Sequence, residues 1–342
     1  MSSKNAWIQA ARAELKHESP LQQLQKQWGH WPIKPYFDVD DVGSSNIAPK
    51  LSLPHMAPNG WFNLPLVDAK LDSANVLAIS HLNNGADGAV FKLSNGIKPS
   101  LLLANIKPEF CFLGFEANNN LLSFFQECEP LLQPKEKILG CIFWDDDANW
   151  LGIARLFKAH SNFRCFGIHV GTLSNLNIEA ALQKAIDVLD VLTDNSFSAQ
   201  HVLPKMAFSV EASSNFFLDV AMLRSLKILF NRLCHGYGVE NIPAFVRLVV
   251  KPTALGNYEP HGAMIAGALS ALSGVSASVD ALTIETENQN SNLHVHTARS
   301  VSLLLKEESK LDKVMDPLAG SYFVETLASS IIEKIWTNLK NS

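Results

Sequence analysis

Residues Lys137–Phe157 read K-I-L-G-C-I-F-W-D-D-D-A-N-W-L-G-I-A-R-L-F. Two periods meet in this stretch. Lys137–Phe143 is apolar on consecutive positions, as a strand buried on both faces must be. After three aspartates, Trp150, Ile153, Ala154 and Phe157 recur at i, i+3, i+4 and i+7, the stripe of a helix lying on that strand. A fully apolar strand followed by an amphipathic helix is the unit of a parallel sheet. The same unit recurs on both sides. Further runs lie at Gly88–Leu93, Phe110–Phe115, Arg164–Val170, Met206–Glu211, Phe245–Val250 and Asp280–Glu285, with a weak eighth at Lys313–Asp316. Helical stripes follow at Ile178, Ala181, Leu182, Ala185, Ile186 and Leu189, from Phe216 through Val220 to Leu223, and at Leu327, Ile331, Ile335 and Leu339. One helix, Ser73–Asn84, precedes the first of these strands. Seven or eight such units, with no glycine-rich dinucleotide loop and no phosphate loop after any strand, predict an α/β fold of the (β/α)8 barrel type.

Residues 1–65 stand apart from the barrel, which is assigned to 66–342. A short helix at Ala6–Lys16 leads into Pro32, Pro35, Pro49, Pro54 and Pro58, with Trp7, Trp28 and Trp31 along the way. This is an extended arm whose tryptophans must pack on the following domain or on another subunit.

The 342 residues are 47% hydrophobic and 18% charged, with a formal net charge of -5. That composition excludes a disordered or fibrous chain and offers no basic surface for nucleic acid or an anionic membrane. No apolar stretch is long enough to span a bilayer, and Met1–Lys16 has no signal-peptide core. Five dispersed cysteines (Cys111, Cys128, Cys141, Cys165, Cys234) suit a reducing cytoplasm.

In a barrel of this type chemistry sits at the carboxyl ends of the strands. There the sequence places Asp145, Asp146, Asp147, His169, Glu211, Lys251 and Glu285. Asp145, His169, Glu211 and Glu285 are the candidates for an acid–base site. Some of the strand-end residues also have a plain structural reading: Asp147 as a helix cap, His169 as a hydrogen-bonded imidazole, Lys251 as a solvated cation. No metal motif is present, since His294 and His296 lie before a helix with no carboxylate at ligand spacing. The strands carry Phe91, Phe110, Phe112, Phe143, Phe166, Ile168 and Phe208. Such bulk predicts a filled interior and no substrate channel.

Asp316-Pro-Leu-Ala-Gly-Ser-Tyr-Phe-Val-Glu325 resembles the D-P-x-x-G-S-[YW]-[YF]-[VI]-E signature of the methylmalonyl-CoA mutase family. Ala298-Arg299 with Leu303–Ser309 resembles its A-R-N-T-Q-x-I-L-Q-E-E-S helix. Phe216, Phe217, Ala221, Leu223 and Arg224 resemble its F-F-x-x-I-A-K-L-R-A helix. Asp280–Thr283 resembles the G-A-D-A-I-T strand, and Ala74, Asn75 and Leu82–Asp87 another segment. The arm, with Trp7 to Leu15, Ile33–Phe37 and Asp40, resembles the opening of the family's small subunit.

The resemblance implies an adenosylcobalamin-dependent isomerase that moves a carbonyl-CoA group by a radical route. Its catalytic chain has a barrel threaded by the CoA arm and a cobalamin domain with a D-x-H-x-x-G motif. This sequence has no D-x-H, no counterpart of the R-P-W-T-I-R-Q-Y-A-G-F tract between Leu51 and Asn75, and R-L-V-V-K-P-T-A at Arg247–Ala254 where H-x-Q-T-S-G-W is expected. Ala266 stands where the D-P-x-x-N-x-x-R-T helix start has arginine, and the chain given reaches Ser342 without a cobalamin domain. The expectation is a non-catalytic small subunit that binds no cofactor or metal itself. Its partner in a heterodimer would be the catalytic large subunit, which carries the adenosylcobalamin, and the arm would pack on that partner. An autonomous barrel enzyme using the strand-end acid–base residues, and a free-standing acyl-CoA binder, remain the alternatives.

Overall fold

The computed structural model describes residues 3–16, 19–28, 31–42, 60–118, 121–145, 148–213, 215–251, 260–286, 291–314 and 316–341. The arm contains α1 (Ser3–Leu15), α2 (Pro20–Gln23), the antiparallel pair β1 (Lys26–Trp28) and β2 (Trp31–Ile33), and α3 (Val39–Val42). The barrel strands follow: β3 (Phe62–Asn63), β4 (Leu66–Asp68), β5 (Gly88–Lys92), β6 (Phe112–Ala117), β7 (Leu139–Trp144), β8 (Phe163–Thr172), β9 (Met206–Glu211), β10 (Phe245–Val250) and β11 (Ala281–Ile284). The helices beside them are α4 (Ala74–Asn83), α5 (Pro99–Leu102), α6 (Leu122–Cys128), α7 (Trp150–Leu156), α8 (Asn175–Asp194), α9 (Ala199–Val202), α10 (Phe216–Gly236), α11 (Pro260–Ser276), α12 (Asn292–Leu303) and α13 (Tyr322–Asn341). No helix among the described residues is long and apolar enough to cross a membrane.

All pairs in the large sheet are parallel, in the order β3-β11-β10-β9-β8-β7-β6-β5-β4. β3 and β4 are two halves of one strand broken at Leu64-Pro65. The first half pairs with β11 and the second with β5, which closes the ring as an eight-stranded (β/α)8 barrel. Proline has no N–H to give, and at this switch none is needed: the Pro65 carbonyl accepts from the Val90 N–H at 2.9 Å.

Seven of the predicted strands lie within two residues of their expected starts. The eighth does not. Lys313–Asp316 is no strand; a 3-10 turn occupies Leu311–Lys313. The closing strand is Phe62–Asp68, which straddles the boundary expected between arm and barrel. His294 and His296 lie within α12 rather than before it.

Two separate apolar clusters define the interior. The larger lies between strands and helices and takes Phe91, Phe115, Phe166, Ile168 and Phe208. The smaller is enclosed by the barrel: Leu64, Val90, Phe112, Cys141, Phe143, Ala207, Phe245 and Ala281, with Phe62 and Leu66 against it. Of the aromatics expected to fill the barrel, only Phe112 and Phe143 do so, joined by Phe62 and Phe245. Phe110 is 78% exposed, outside any strand. Close packing leaves no room for side chains at some strand positions. A Cβ on Gly167 would stand 2.2 Å from the Ile142 carbonyl oxygen.

The arm folds back on its own chain. Trp28 and Phe37 meet Phe323 of α13 at ring distances of 5.8 and 5.1 Å, Lys334 lies 5.2 Å from the Trp31 ring, and Trp7 stacks on Tyr36. Trp61 is buried and donates to Ser302 Oγ at 2.9 Å.

Candidate functional site

β6 and β10 face each other across the barrel, four strands apart in a ring of eight. Side chains from these two strands meet on the axis at two levels. At the lower level Phe112 stacks on Phe245 with centroids 5.7 Å apart and planes at 7°. Phe62 packs on Phe112 at 4.9 Å, and the Arg164 guanidinium covers Phe245 at 4.5 Å. One level higher, Arg247 crosses the axis to Glu116. Its Nη2 donates to that carboxylate and to Ser209 Oγ (2.8 Å), while the guanidinium lies 4.4 Å from the Phe143 centroid. Arg247 has no exposed surface. The pair holds the Glu116 carboxyl below its usual range: burial opposes ionisation, and the Arg247 charge outweighs it.

The strand-end residues predicted from sequence come together above this plug. A register shift between His169 and Gly171, with Gly171 at φ 76°, leaves His169 at the mouth. His169 Nε2 is buried, 3.4 Å from Asp145 Oδ1 without a hydrogen bond between them. Burial and then the nearby Arg247 charge push the imidazole pKa down, although Glu116, Asp145 and Glu211 pull it up. Glu211 accepts from Thr172 Oγ1 at 3.3 Å and pairs with Lys251, whose side chain stays partly exposed. Burial, and less so Glu116, pushes the Glu285 carboxyl pKa up against the charges of Lys251, Arg247 and Lys92. Asp145, His169, Glu211 and Glu285 thus share one mouth. Three of the carboxylates there, Glu116, Glu211 and Asp145, already face Arg247, Lys251 and His169. A neutral imidazole beside carboxylates can accept a proton, but Arg247 and Phe112–Phe245 close the shaft below it. Among the described residues no group of three His, Cys, Asp or Glu side chains could hold a metal ion.

Asp146 and Asp147 lie outside the described residues. Asn149, not an aspartate, caps α7, accepting from the Gly152 N–H at 2.9 Å. The sequence reading missed Glu116 and Arg247. Its signals were Arg247 inside an otherwise apolar strand and Glu116 one residue past the run that was read as ending at Phe115.

The residues that carry the family resemblance have structural duties. Arg224, 3% exposed on α10, is gripped by Asp316 at 3.0 Å and Glu325 at 2.8 Å. Gly320, at φ 79°, makes the turn between them and donates its N–H to Glu325. Asn75 donates to the Leu102 and Ala104 carbonyls, each at 2.8 Å. Asp280 accepts from the Val246 N–H at 2.8 Å, and Thr283 Oγ1 donates to the Leu64 carbonyl at 2.7 Å.

The fold and mouth therefore define a (β/α)8 barrel whose axis is closed by its own side chains. The family described as methylmalonyl-CoA mutase matches residues 169–341, and the chain belongs to that family. It is 25% identical, over 98% of its length, to the methylmalonyl-CoA mutase small subunit of Porphyromonas gingivalis, of which it covers 62%. It is 21% identical over 77% of its length to the large subunit of Propionibacterium freudenreichii subsp. shermanii, of which it covers 36%. Among solved structures, dihydropteroate synthase from Thermus thermophilus aligns with 72% of the chain and 94% of its own, at 13% identity and a TM-score of 0.38.

His169 holds its buried Nε2 3.4 Å from Asp145 Oδ1, with its ring 6.0 Å from that of Phe143.

Proposed function

We propose that this chain is the non-catalytic small subunit of an adenosylcobalamin-dependent methylmalonyl-CoA mutase, a cytoplasmic isomerase of acyl-CoA carbon skeletons. The observation that carries the proposal is the plugged axis. In the catalytic chains that the sequence resembles, the CoA arm threads the barrel. Here Arg247–Glu116 and Phe112–Phe245 occupy that path. The partner is the catalytic large subunit, which holds both acyl-CoA and adenosylcobalamin, and the two form a heterodimer. The part of this chain that meets it is the arm that precedes the closing strand, beside Phe217 and Tyr322, which stay 41% and 47% exposed. This chain's own contribution is a rigid barrel that shapes its partner.

Light scattering on a sizing column tests this, with the chain alone and then mixed with the large subunit from the same source. A one-to-one complex is expected, with mutase activity that rises on mixing and depends on the large subunit's cobalamin. Separate elution with unchanged activity overturns the proposal and returns attention to the mouth around His169. Calorimetry with an acyl-CoA should show no binding to this chain alone; binding there would favour the free-standing acyl-CoA binder.

A further inference from the structure

Two of the buried arginines of this barrel have carboxylate partners, and the third has none among the described residues. Arg224 has Asp316 and Glu325, Arg247 has Glu116, and Arg164 lies on the Phe245 ring. Arg299, on α12, is 8% exposed, yet among the described residues no carboxylate lies within ion-pair distance of it. Its Nε is buried without an acceptor, and its backbone carbonyl accepts from Asn63 Nδ2 at 3.3 Å. A buried donor on a cation without an acceptor is costly, and proteins supply such a group with a partner.

Arg299 lines a narrow cleft between the closing strand, α4 and the end of β11, together with Asn63, Leu66, His81, Glu285 and Thr286. Two further donors lack partners there. His81 is 5% exposed with its Nδ1 unbonded, and Thr286 Oγ1 is buried and unbonded. The cleft has room for about one water-sized occupant and none for an organic acid. Glu285 also lines it, but its charge is set against Lys251 at the mouth. A carboxylate on the rim disfavours a divalent anion more than a monovalent one.

We propose that Arg299, Thr286 and His81 form a binding site for one small monovalent inorganic anion of halide size. The anion accepts from Arg299 Nε, from the Thr286 hydroxyl and from His81 Nδ1 in the tautomer that carries its proton there. The site lies beneath the seam between the first and last strands, so a bound ion ties α12 to both. The Arg299 charge already holds His81 down, after burial itself, to a pKa of about 4; an anion would relieve that repulsion.

Thermal unfolding at constant ionic strength tests the proposal, with sodium chloride set against sodium methanesulfonate. The wild-type chain should melt higher in chloride by about 1–2 °C at 0.5 M. The difference should disappear in Arg299→Gln. Equal melting of the wild type in both salts, or the same difference in the variant, overturns the proposal. Should Arg299→Gln fail to fold, wild-type crystals grown in sodium bromide decide the matter. An anomalous peak between Arg299 and Thr286 supports the site, and a water there with no anomalous signal refutes it.

Discussion

Replacing Glu116 with glutamine keeps the shape of the barrel plug and removes half of its charge. Arg247 would then stand with no exposed surface, its guanidinium held by Ser209 Oγ and the Phe143 face. Those two contacts exist in both proteins, so they do not offset the loss. Removing one member of a buried pair costs about 3–5 kcal/mol. Glu116 keeps 12% side-chain exposure, which lets some water reach the gap and points to the lower end, about 3 kcal/mol. With a urea slope of about 3 kcal/mol/M, the midpoint followed by tryptophan fluorescence falls by about 1 M at unchanged slope. The double change Glu116→Leu with Arg247→Met removes both charges and should lie within about 1 kcal/mol of wild type, since apolar replacement of a whole buried pair is often neutral. With the single changes Glu116→Leu and Arg247→Met measured beside it, the cycle should give a coupling of at least about 2 kcal/mol. The pH dependence has a defined sign. Glu116 is depressed in the folded chain, so its contribution is complete above the ordinary glutamate value and is lost as pH falls through the folded value. The gap between wild type and Glu116→Gln narrows in acid. A midpoint within about 0.3 M of wild type at pH 7, or a double variant as unstable as the sum of the singles, would refute the cross-axis pair as a structural element.

Arg224→Met should cost about 3 kcal/mol or more in the same urea assay, because it strands Asp316 and Glu325 around an apolar site. Asp316→Asn should cost about 1 kcal/mol, since Glu325 still answers the arginine. His81, depressed from 6.5 to about 4, must gain a proton when the chain unfolds in mild acid. Its stabilising difference is full above pH 6.5 and lost as pH falls to 4, by up to about 3 kcal/mol, and His81→Leu should flatten that part of the stability–pH curve. Gly167→Ala puts a methyl against the Ile142 carbonyl and should cost about 3 kcal/mol or prevent folding, as read by yield and circular dichroism.

The ring of strands was readable because the runs from Gly88, Arg164, Met206, Phe245 and Asp280 are apolar on consecutive positions and each is followed by a helical stripe. The closing strand was not, because Phe62-Asn-Leu-Pro-Leu-Val-Asp68 follows a proline-rich tract and carries Pro65 at its centre. Both features argue against a strand until the partner on each side is known. Doubly apolar strands also hide which alternate set points inward. Phe91 and Phe208 face helices, while Phe112 and Phe143 face the axis. The candidate residues at the mouth were legible from their place at strand ends. The plug beneath them was not, because its members are 131 residues apart and meet only when the ring closes.

That closure leaves the barrel with a buckle. The first strand gives β11 only the register pairs Ala281↔Phe62 and Leu282↔Asn63, then releases it at Pro65 and gives β5 its last three residues. Elsewhere neighbouring strands are joined over four to six such pairs. A hoop strained anywhere parts at its shortest overlap, so this one is set to unfasten between β11 and the first strand while the other seven junctions hold. Trp61 clasped to Ser302 sits at the latch. A barrel that opens there exposes two unpaired edges side by side, which makes the latch the place where this fold stands nearest to mispairing with another copy of itself.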